Sequence, residues 1–193
     1  MRTTPLMVEF TGTPEAGKTT SIGNVANNLS NLGYSVSILK ESAEKLPKVI
    51  PKGTWYANLW MHNQTQAGLL EAKFMNSDII LIDRGLIDSN FYGKKFLWEN
   101  KCTQKQYEKF RLQFMDELFP DYLIALMVPP EIAIKRRGGE GRLVNEEYIK
   151  SYNEMFLKYY DEIEYPKTLI DTSQLTENEM NQKVLNVIKN ALP

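Results

Sequence analysis

Residues 9–20 read EFTGTPEAGKTT, a strand-like apolar approach followed by two glycines, a lysine and two threonines. Gly12 to Thr19 satisfies G-x-x-x-x-G-K-[ST], the spacing of a loop that holds phosphate. Gly12 and Gly17 accept backbone torsions that a side chain forbids, which lets N–H groups turn inward. Those amides line a concave anion site at a helix N-terminus, where the helix dipole is positive. Lys18 supplies a mobile positive charge for the β- and γ-phosphates, and Thr19 offers a hydroxyl to Mg²⁺. The expected nucleotide site is therefore Gly12, Thr13, Pro14, Glu15, Ala16, Gly17, Lys18, Thr19 and Thr20. Glu15 is an acid inside an anion-binding loop, where close repulsion is costly. Either it points away, toward an acceptor or an arginine, or it is a solvated loop residue.

Two further groupings bear on what is done with the triphosphate. The apolar run before residue 83 ends in Asp83-Arg84-Gly85. Motor and remodelling ATPases often carry Asp-Glu there, the glutamate polarising water, whereas arginine is no general base at neutral pH. Asp83 can orient Mg²⁺ or its waters, and Arg84 can grip a phosphate or an acceptor. Residues 134–149, IKRRGGEGRLVNEEYI, gather Lys135, Arg136, Arg137 and Arg142 around three glycines. Guanidinium groups stabilise the charge spread over a migrating phosphoryl group, and glycines let a segment close and exclude water. A lid at about 136–143 is expected, the alternative being a solvated basic turn. Transfer to a bound acceptor is favoured over hydrolysis. The nearest approach to a guanine-reading Asn-Lys-x-Asp is Asn100-Lys101-Cys102-Thr103, without the aspartate.

These groups need a scaffold. Apolar or β-branched runs predict strands at 6–11, 34–39, 78–82, 121–128 and 167–172. Ile22, Val25, Leu29 and Leu32 recur at helical spacing, with Gly33 as a stop. Helix-length segments lie at 55–75, 86–98, 104–118, 131–137, 145–163 and 175–191. The alternation predicts an α/β fold, a parallel five-stranded sheet with helices on both faces, in one domain spanning 1–193 with neither repeat nor linker.

The 193 residues suffice for one sizeable core, and 23 basic side chains against 24 acidic give no bulk attraction to nucleic acid or anionic membrane. One cysteine, Cys102, excludes an internal disulfide framework and fits a reducing compartment. No apolar run suits a signal peptide or a membrane span, so a cytoplasmic protein is expected. His62 is the sole histidine, which argues against a transition-metal site.

GTPEAGKTT, the DRG after an apolar strand and the glycine–arginine segment together resemble the thymidylate kinase and deoxynucleoside kinase group of P-loop kinases. NEEYIKSYNEMFLKYYDEI, 145–163, is similar to the tyrosine-bearing helix after the lid in deoxynucleoside kinases. The resemblance runs through nearly the whole chain in order. It implies ATP and Mg²⁺, a nucleoside or nucleotide acceptor, and often a homodimer. It matches Gln64, in NQTQAGLL, to a glutamine that hydrogen-bonds the acceptor base, and Glu41 to the glutamate that takes the proton of a 5′-hydroxyl, with Ser42 where a proline would stand. Glu44 is a weaker candidate base, and a surface glutamate is the alternative for both. Trp55, Tyr56 and Trp60 either wall a ring or belong to the core. Thr172, Ser173 and Gln174 either touch adenine or cap the last helix. Asp88 could contact a sugar or base.

Asp83-Arg84 matches thymidylate kinases better than the Glu-Arg-Ser of deoxynucleoside kinases, and Glu71 stands where an arginine would follow the base-reading glutamine. The departures leave a nucleoside and a nucleoside monophosphate both open as acceptor. A regulatory ATPase and a nucleic-acid 5′-end kinase are the rivals from other classes.

Overall fold

The computed structural model describes residues 4–141 and 144–192. The chain runs β1 (Leu6–Gly12), α1 (Lys18–Asn31), β2 (Val36–Leu39), a 3-10 turn (Ser42–Lys45), α2 (Trp55–Phe74), β3 (Ile79–Asp83), α3 (Leu86–Trp98) and α4 (Gln104–Arg111). It continues through a second 3-10 turn (Asp116–Leu118), β4 (Tyr122–Met127), α5 (Pro130–Arg137), α6 (Glu146–Asp161), β5 (Lys167–Asp171) and α7 (Glu177–Ala191). Among the described residues the strands form one sheet of order β2-β3-β1-β4-β5, every pairing parallel. β1 lies between β3 and β4, so the C-terminal ends of these three strands open the crevice at which such sheets bind ligands.

Period-two alternation sorts the side chains. Leu6, Val8 and Phe10 of β1 join Ile124 and Leu126 of β4 under α1 and α7, against Val25, Leu29, Val184 and Ile188. On the other face Leu123, Ala125 and Met127 meet Phe91 of α3 and Tyr152 and Phe156 of α6, while Met7, Ile80 and Ile82 meet Leu69 and Ala72 of α2. Phe91 is fully buried, its ring edge-on to Tyr152 and Phe156 at 5.2 Å each. Truncating it to alanine costs about 3–5 kcal/mol on this packing.

The alternation of β1 also places Glu9 and Thr11 on the second face, both fully buried. Glu9 has a structural partner: it accepts hydrogen bonds from the backbone N–H of Ile87 (3.1 Å) and Asp88 (2.7 Å), two orphan donors of the first turn of α3. Burial, with the nearby charge of Asp88 adding to it, raises its pKa to about 8 against the pull of these hydrogen bonds. A Cβ at Gly85 would fall 2.4 Å from a Glu9 carboxylate oxygen, so the residue entering α3 has to be glycine.

The expected helix over 104–118 is not continuous. α4 ends at Arg111, and a separate 3-10 turn follows. Tertiary contacts break it: the N–H of Met115 donates to Oε1 of Gln66 at 3.1 Å, and the Phe114 ring packs between His62 and Phe119. His62 is buried, and burial lowers its pKa to about 4, so it is a neutral core residue.

Candidate active site

β1 ends in Gly12 at φ +116°, where a Cβ would come 2.0 Å from the carbonyl oxygen of Leu126. The close passage of β4 makes glycine obligatory there. Gly17, at φ +92°, caps α1, and Lys18 is its first residue. The Lys18 ammonium donates to the carbonyl oxygens of Gly12 (3.1 Å) and Thr13 (2.7 Å). Burial and then the Arg84 charge pull its pKa down to about 7, against Asp83, Asp88 and Glu41.

A cavity of about 290 Å³ opens in front of this loop, lined by Pro14, Glu15, Gly17, Lys18, Thr19, Thr20, Glu41, Asp83 and Arg84. Gly12, Thr13 and Ala16 lie behind it as the frame. Ala16 is core, and the Thr13 hydroxyl donates to Asn153 of α6 at 2.7 Å. The Thr19 hydroxyl donates to Oδ2 of Asp83 at 2.7 Å. Oδ1 of Asp83 is buried with no hydrogen-bond partner among the described residues. An unsatisfied carboxylate oxygen beside a hydroxyl, facing a phosphate loop, is a donor set that fits Mg²⁺.

Arg84 sits at φ +61°, a left-handed conformation that is strained for a side-chain-bearing residue and recurs at functional sites. Its N–H is held by the carbonyl of Phe10. Its Nη1 donates to Oδ1 of Asp88 at 2.9 Å, and its Nε lies 3.4 Å from Oε1 of Glu41. Asp88 also accepts from Thr11, so the chain from Glu9 and Thr11 through Asp88 fixes the guanidinium. Although 37% of the Glu41 side chain is exposed, desolvation by the protein around it raises its pKa, against the pull of Arg84.

A second cavity, of about 390 Å³, lies on the other side of Arg84. Ala57, Asn58, Met61 and Thr65 of α2 form one wall; Asp88, Ser89, Tyr92 and Phe96 of α3 form another; Tyr148 of α6 closes the end. Its size falls in the range of small-molecule sites. Glu41 and Arg84 are the two residues common to both cavities among the described residues.

Several expected site residues lie elsewhere. Gln64 is exposed and faces a groove beside β2. Trp60 is half-buried, and neither it nor Gln64 lines the second cavity. The helical phase is the reason: Asn58, Met61 and Thr65 share the inward face, and Gln64 is turned away from them. Trp55 belongs to a core cluster with Phe96 and Phe110, and Tyr56 is exposed. Arg136 lines neither cavity. It donates to the hydroxyl (3.0 Å) and carbonyl (2.6 Å) of Thr172 and to the Glu15 carbonyl, clamping the β5–α7 loop to the phosphate loop. Thr172 in turn donates to the Ala16 carbonyl at 3.1 Å, and the cap of α7 is Thr176 instead. Arg137 approaches the Glu15 carboxylate at 3.9 Å, so that acid does face an arginine. Arg142 lies outside the described residues.

Asn58, Ser89, Tyr92 and Tyr148 were missed in the sequence. The spacing Arg84, Asp88, Tyr92, Phe96 is a four-residue repeat that marks one helical face, and it was available as a signal. No helix among the described residues is long and apolar enough to cross a membrane, and no group of three or more metal-ligating side chains occurs among them.

No family model matches the chain. It is 24% identical to the thymidylate kinase of Thermoanaerobacter sp. (strain X514) over 208 residues, covering 96% of this chain and 98% of that protein. It is 25% identical to the thymidylate kinase of Caldanaerobacter subterraneus subsp. tengcongensis, over 86% of this chain and 87% of that one. Among solved structures it resembles deoxyadenosine kinase from M. mycoides with products dCMP and a flexible dCDP bound, at a TM-score of 0.73 and 24% identity, covering 96% and 100% of the two chains. The same enzyme with bound dCTP gives a TM-score of 0.72. The likeness to the solved structures is one of fold.

Proposed function

We propose that this chain, a P-loop kinase of the thymidylate kinase and deoxynucleoside kinase group, transfers the γ-phosphoryl group of ATP to the 5′-hydroxyl of a nucleoside. The observation that carries the choice of acceptor is the pair Glu41 and Arg84, standing at the seam between a phosphate cavity and an apolar-walled cavity. A carboxylate at that seam suits a hydroxyl, whose proton it can accept, and repels a phosphate monoester. The second cavity carries Glu41, Glu44 and Asp88 against Lys52 and Arg84 among its described lining residues. That balance favours a neutral acceptor.

In this reading Lys18 and the loop amides hold the β- and γ-phosphates, and ATP occupies Gly12 to Thr20. Thr19 and Asp83 would hold Mg²⁺, which neutralises charge on the phosphates. Glu41 takes the hydroxyl proton as the oxygen attacks γ-phosphorus and the bond to the β,γ-bridging oxygen breaks, leaving ADP. Arg84, pinned by Asp88, orients the incoming oxygen and faces the transferring group. Asn58, Ser89 and Asp88 supply polar contacts to the acceptor, and Tyr92, Tyr148 and Met61 exclude water around it. Arg136 and Arg137 hold the loops at the nucleotide end, and Arg142 is the lid arginine left to close over the phosphoryl group. One domain spans the chain, with the lid at about 136–143. A cytoplasmic location, supported by the single cysteine, completes the reading.

The rival is a monophosphate acceptor, favoured by the thymidylate kinase relatives. Offering nucleosides and nucleoside monophosphates with ATP and Mg²⁺, and following products by mass, decides between them. Turnover of monophosphates alone would overturn the hydroxyl reading.

A further inference from the structure

Glu41 sits in a segment with one buried anchor. Between the end of β2 at Leu39 and the start of α2 at Trp55, Ser42 alone is buried. Its neighbours are exposed or half-buried, and the backbone hydrogen bonds from Leu46 to Ala43 and from Ile50 to Pro47 stay inside the segment. The anchor is polar. The Ser42 hydroxyl lies 3.0 Å from the Thr65 hydroxyl, a buried hydrogen bond in which either oxygen can donate. Thr65 is 4% exposed and stands on the inward face of α2, one turn before Leu69, which packs on the sheet. The segment in turn supplies one side of the second cavity, through residues 41–44, Leu46 and residues 52–54.

We propose that Thr65, acting through Ser42, is a positioning residue for Glu41. The hydroxyl pair fixes the turn that carries the base, and so the place of its carboxylate relative to the acceptor oxygen. The inference rests on the reading of Glu41 as the base and goes beyond it. Glu41 immediately precedes Ser42 and caps the 3-10 turn, at φ −53° and ψ 127°. With 37% of its side chain exposed, packing does not hold it in place. It is held from two directions instead. Arg84 meets its carboxylate at 3.4 Å, and α2 holds its backbone through the next residue. The first contact alone leaves the segment free to swing about the guanidinium; the second ties it to a helix packed on the sheet. Rigid elements place reacting groups more precisely than loops do, and a misplacement of about 1 Å costs on the order of 100-fold in rate. Removing either hydroxyl leaves the other buried and unsatisfied, so the turn that carries Glu41 shifts toward water.

A double-mutant cycle tests the role. Thr65→Val keeps the shape and removes the hydroxyl. With ATP and a nucleoside its kcat should fall by about 10–100-fold, with the nucleoside KM within about threefold of wild type. Ser42→Ala breaks the same bond from the other side and should reproduce the loss, while Thr65→Ser, which keeps the hydroxyl, should stay within about twofold of wild type. In the Glu41→Gln background Thr65→Val should change kcat by less than about twofold, because the group it positions is already gone. Equal losses in both backgrounds, or a loss confined to KM, overturn the proposal and assign Thr65 to folding or to the acceptor itself. A second readout needs no acceptor. Amide hydrogen exchange over residues 43–50 should be about tenfold faster in Thr65→Val, with the strands unchanged; unchanged exchange overturns the anchor. A wild type that phosphorylates no nucleoside overturns the base assignment and the positioning role with it, and the exchange measurement tells that failure apart from failure of the anchor.

Discussion

The Glu41 carboxylate lies 3.4 Å from the Arg84 guanidinium, and the two together form the wall through which the phosphate cavity meets its neighbour. Each modifies the other. The cation holds down the pKa of an acid that burial pushes up, and the acid helps keep a buried cation charged. A carboxylate and a guanidinium in contact at the junction of two cavities suit the group transfer proposed above.

In the proposed mechanism Glu41→Gln removes the base and keeps the shape. For a nucleoside acceptor its kcat should fall by about 10²–10⁴, while any turnover of a monophosphate should change little. Because the pKa of Glu41 is raised above 4.5, wild-type activity should fall as pH drops through that raised value and the base protonates. A pH–rate profile of wild type shows this acid limb, and in Glu41→Gln it should disappear.

Lys18 has a pKa near 7 in the free protein. A bound triphosphate favours its charged form and raises that value. Nucleotide affinity should therefore be greatest below about pH 7 and decline above it, by up to about tenfold per pH unit, with proton uptake on binding visible by calorimetry in buffers of different ionisation enthalpy. Lys18→Ala should bind weakly and lose the pH dependence. A folded Lys18→Ala protein with wild-type affinity would contradict the phosphate site itself.

Thr19 and Asp83 share a 2.7 Å hydrogen bond, and Oδ1 of Asp83 is left over. Asp83→Asn should raise the Mg²⁺ concentration needed for half-maximal activity by about 10–100-fold. Binding of ATP measured without Mg²⁺ should change far less. Equal losses in both would assign Asp83 to folding.

The phase of α2 is tested by a pair of substitutions. Asn58→Ala should raise the acceptor KM about tenfold, the worth of roughly one hydrogen bond. Gln64→Ala, on the exposed side, should leave that KM within about twofold. The reverse result would rotate the helix.

Glu9 carries a stability prediction. Its folded pKa of about 8 stands above the ordinary 4.5, so the folded protein binds more protons than the unfolded one between those values. The stabilisation is complete below about 4.5 and is lost as pH rises through about 8. Between about pH 4.5 and 6.5 this loss is opposed by His62, whose folded pKa of about 4 stands below the ordinary 6.5, so the Glu9 contribution is read as a difference between wild type and the Glu9→Gln variant. The variant should be less stable throughout, because its amide faces two N–H donors, and the gap in thermal stability between the two proteins should narrow as pH rises from about 5 to 7 and beyond.

Much of the molecule was legible because its causes are local. The phosphate loop needs glycines, a lysine and a hydroxyl at fixed separations, and no distant residue can substitute for them. Strand and helix periods follow from backbone geometry, and the five strands and most helices stand where that pattern puts them. Asp83 and Arg84, next to the loop at the end of a neighbouring strand, were reachable by the same reasoning. α2 was not legible to the same depth. With apolar residues all around it, its sequence allows either face to turn inward, so Gln64 and Trp60 were assigned to a cavity that Asn58, Met61 and Thr65 line. Packing on β3 and α3 made that choice. Contacts with Gln66 and His62 likewise ended a helix whose own residues would have continued to 118, and Thr172, thirty-six residues downstream, captured Arg136. Periodicity and short motifs depend on neighbours along the chain. The direction a helix faces and the partner an arginine finds depend on residues that only folding brings near.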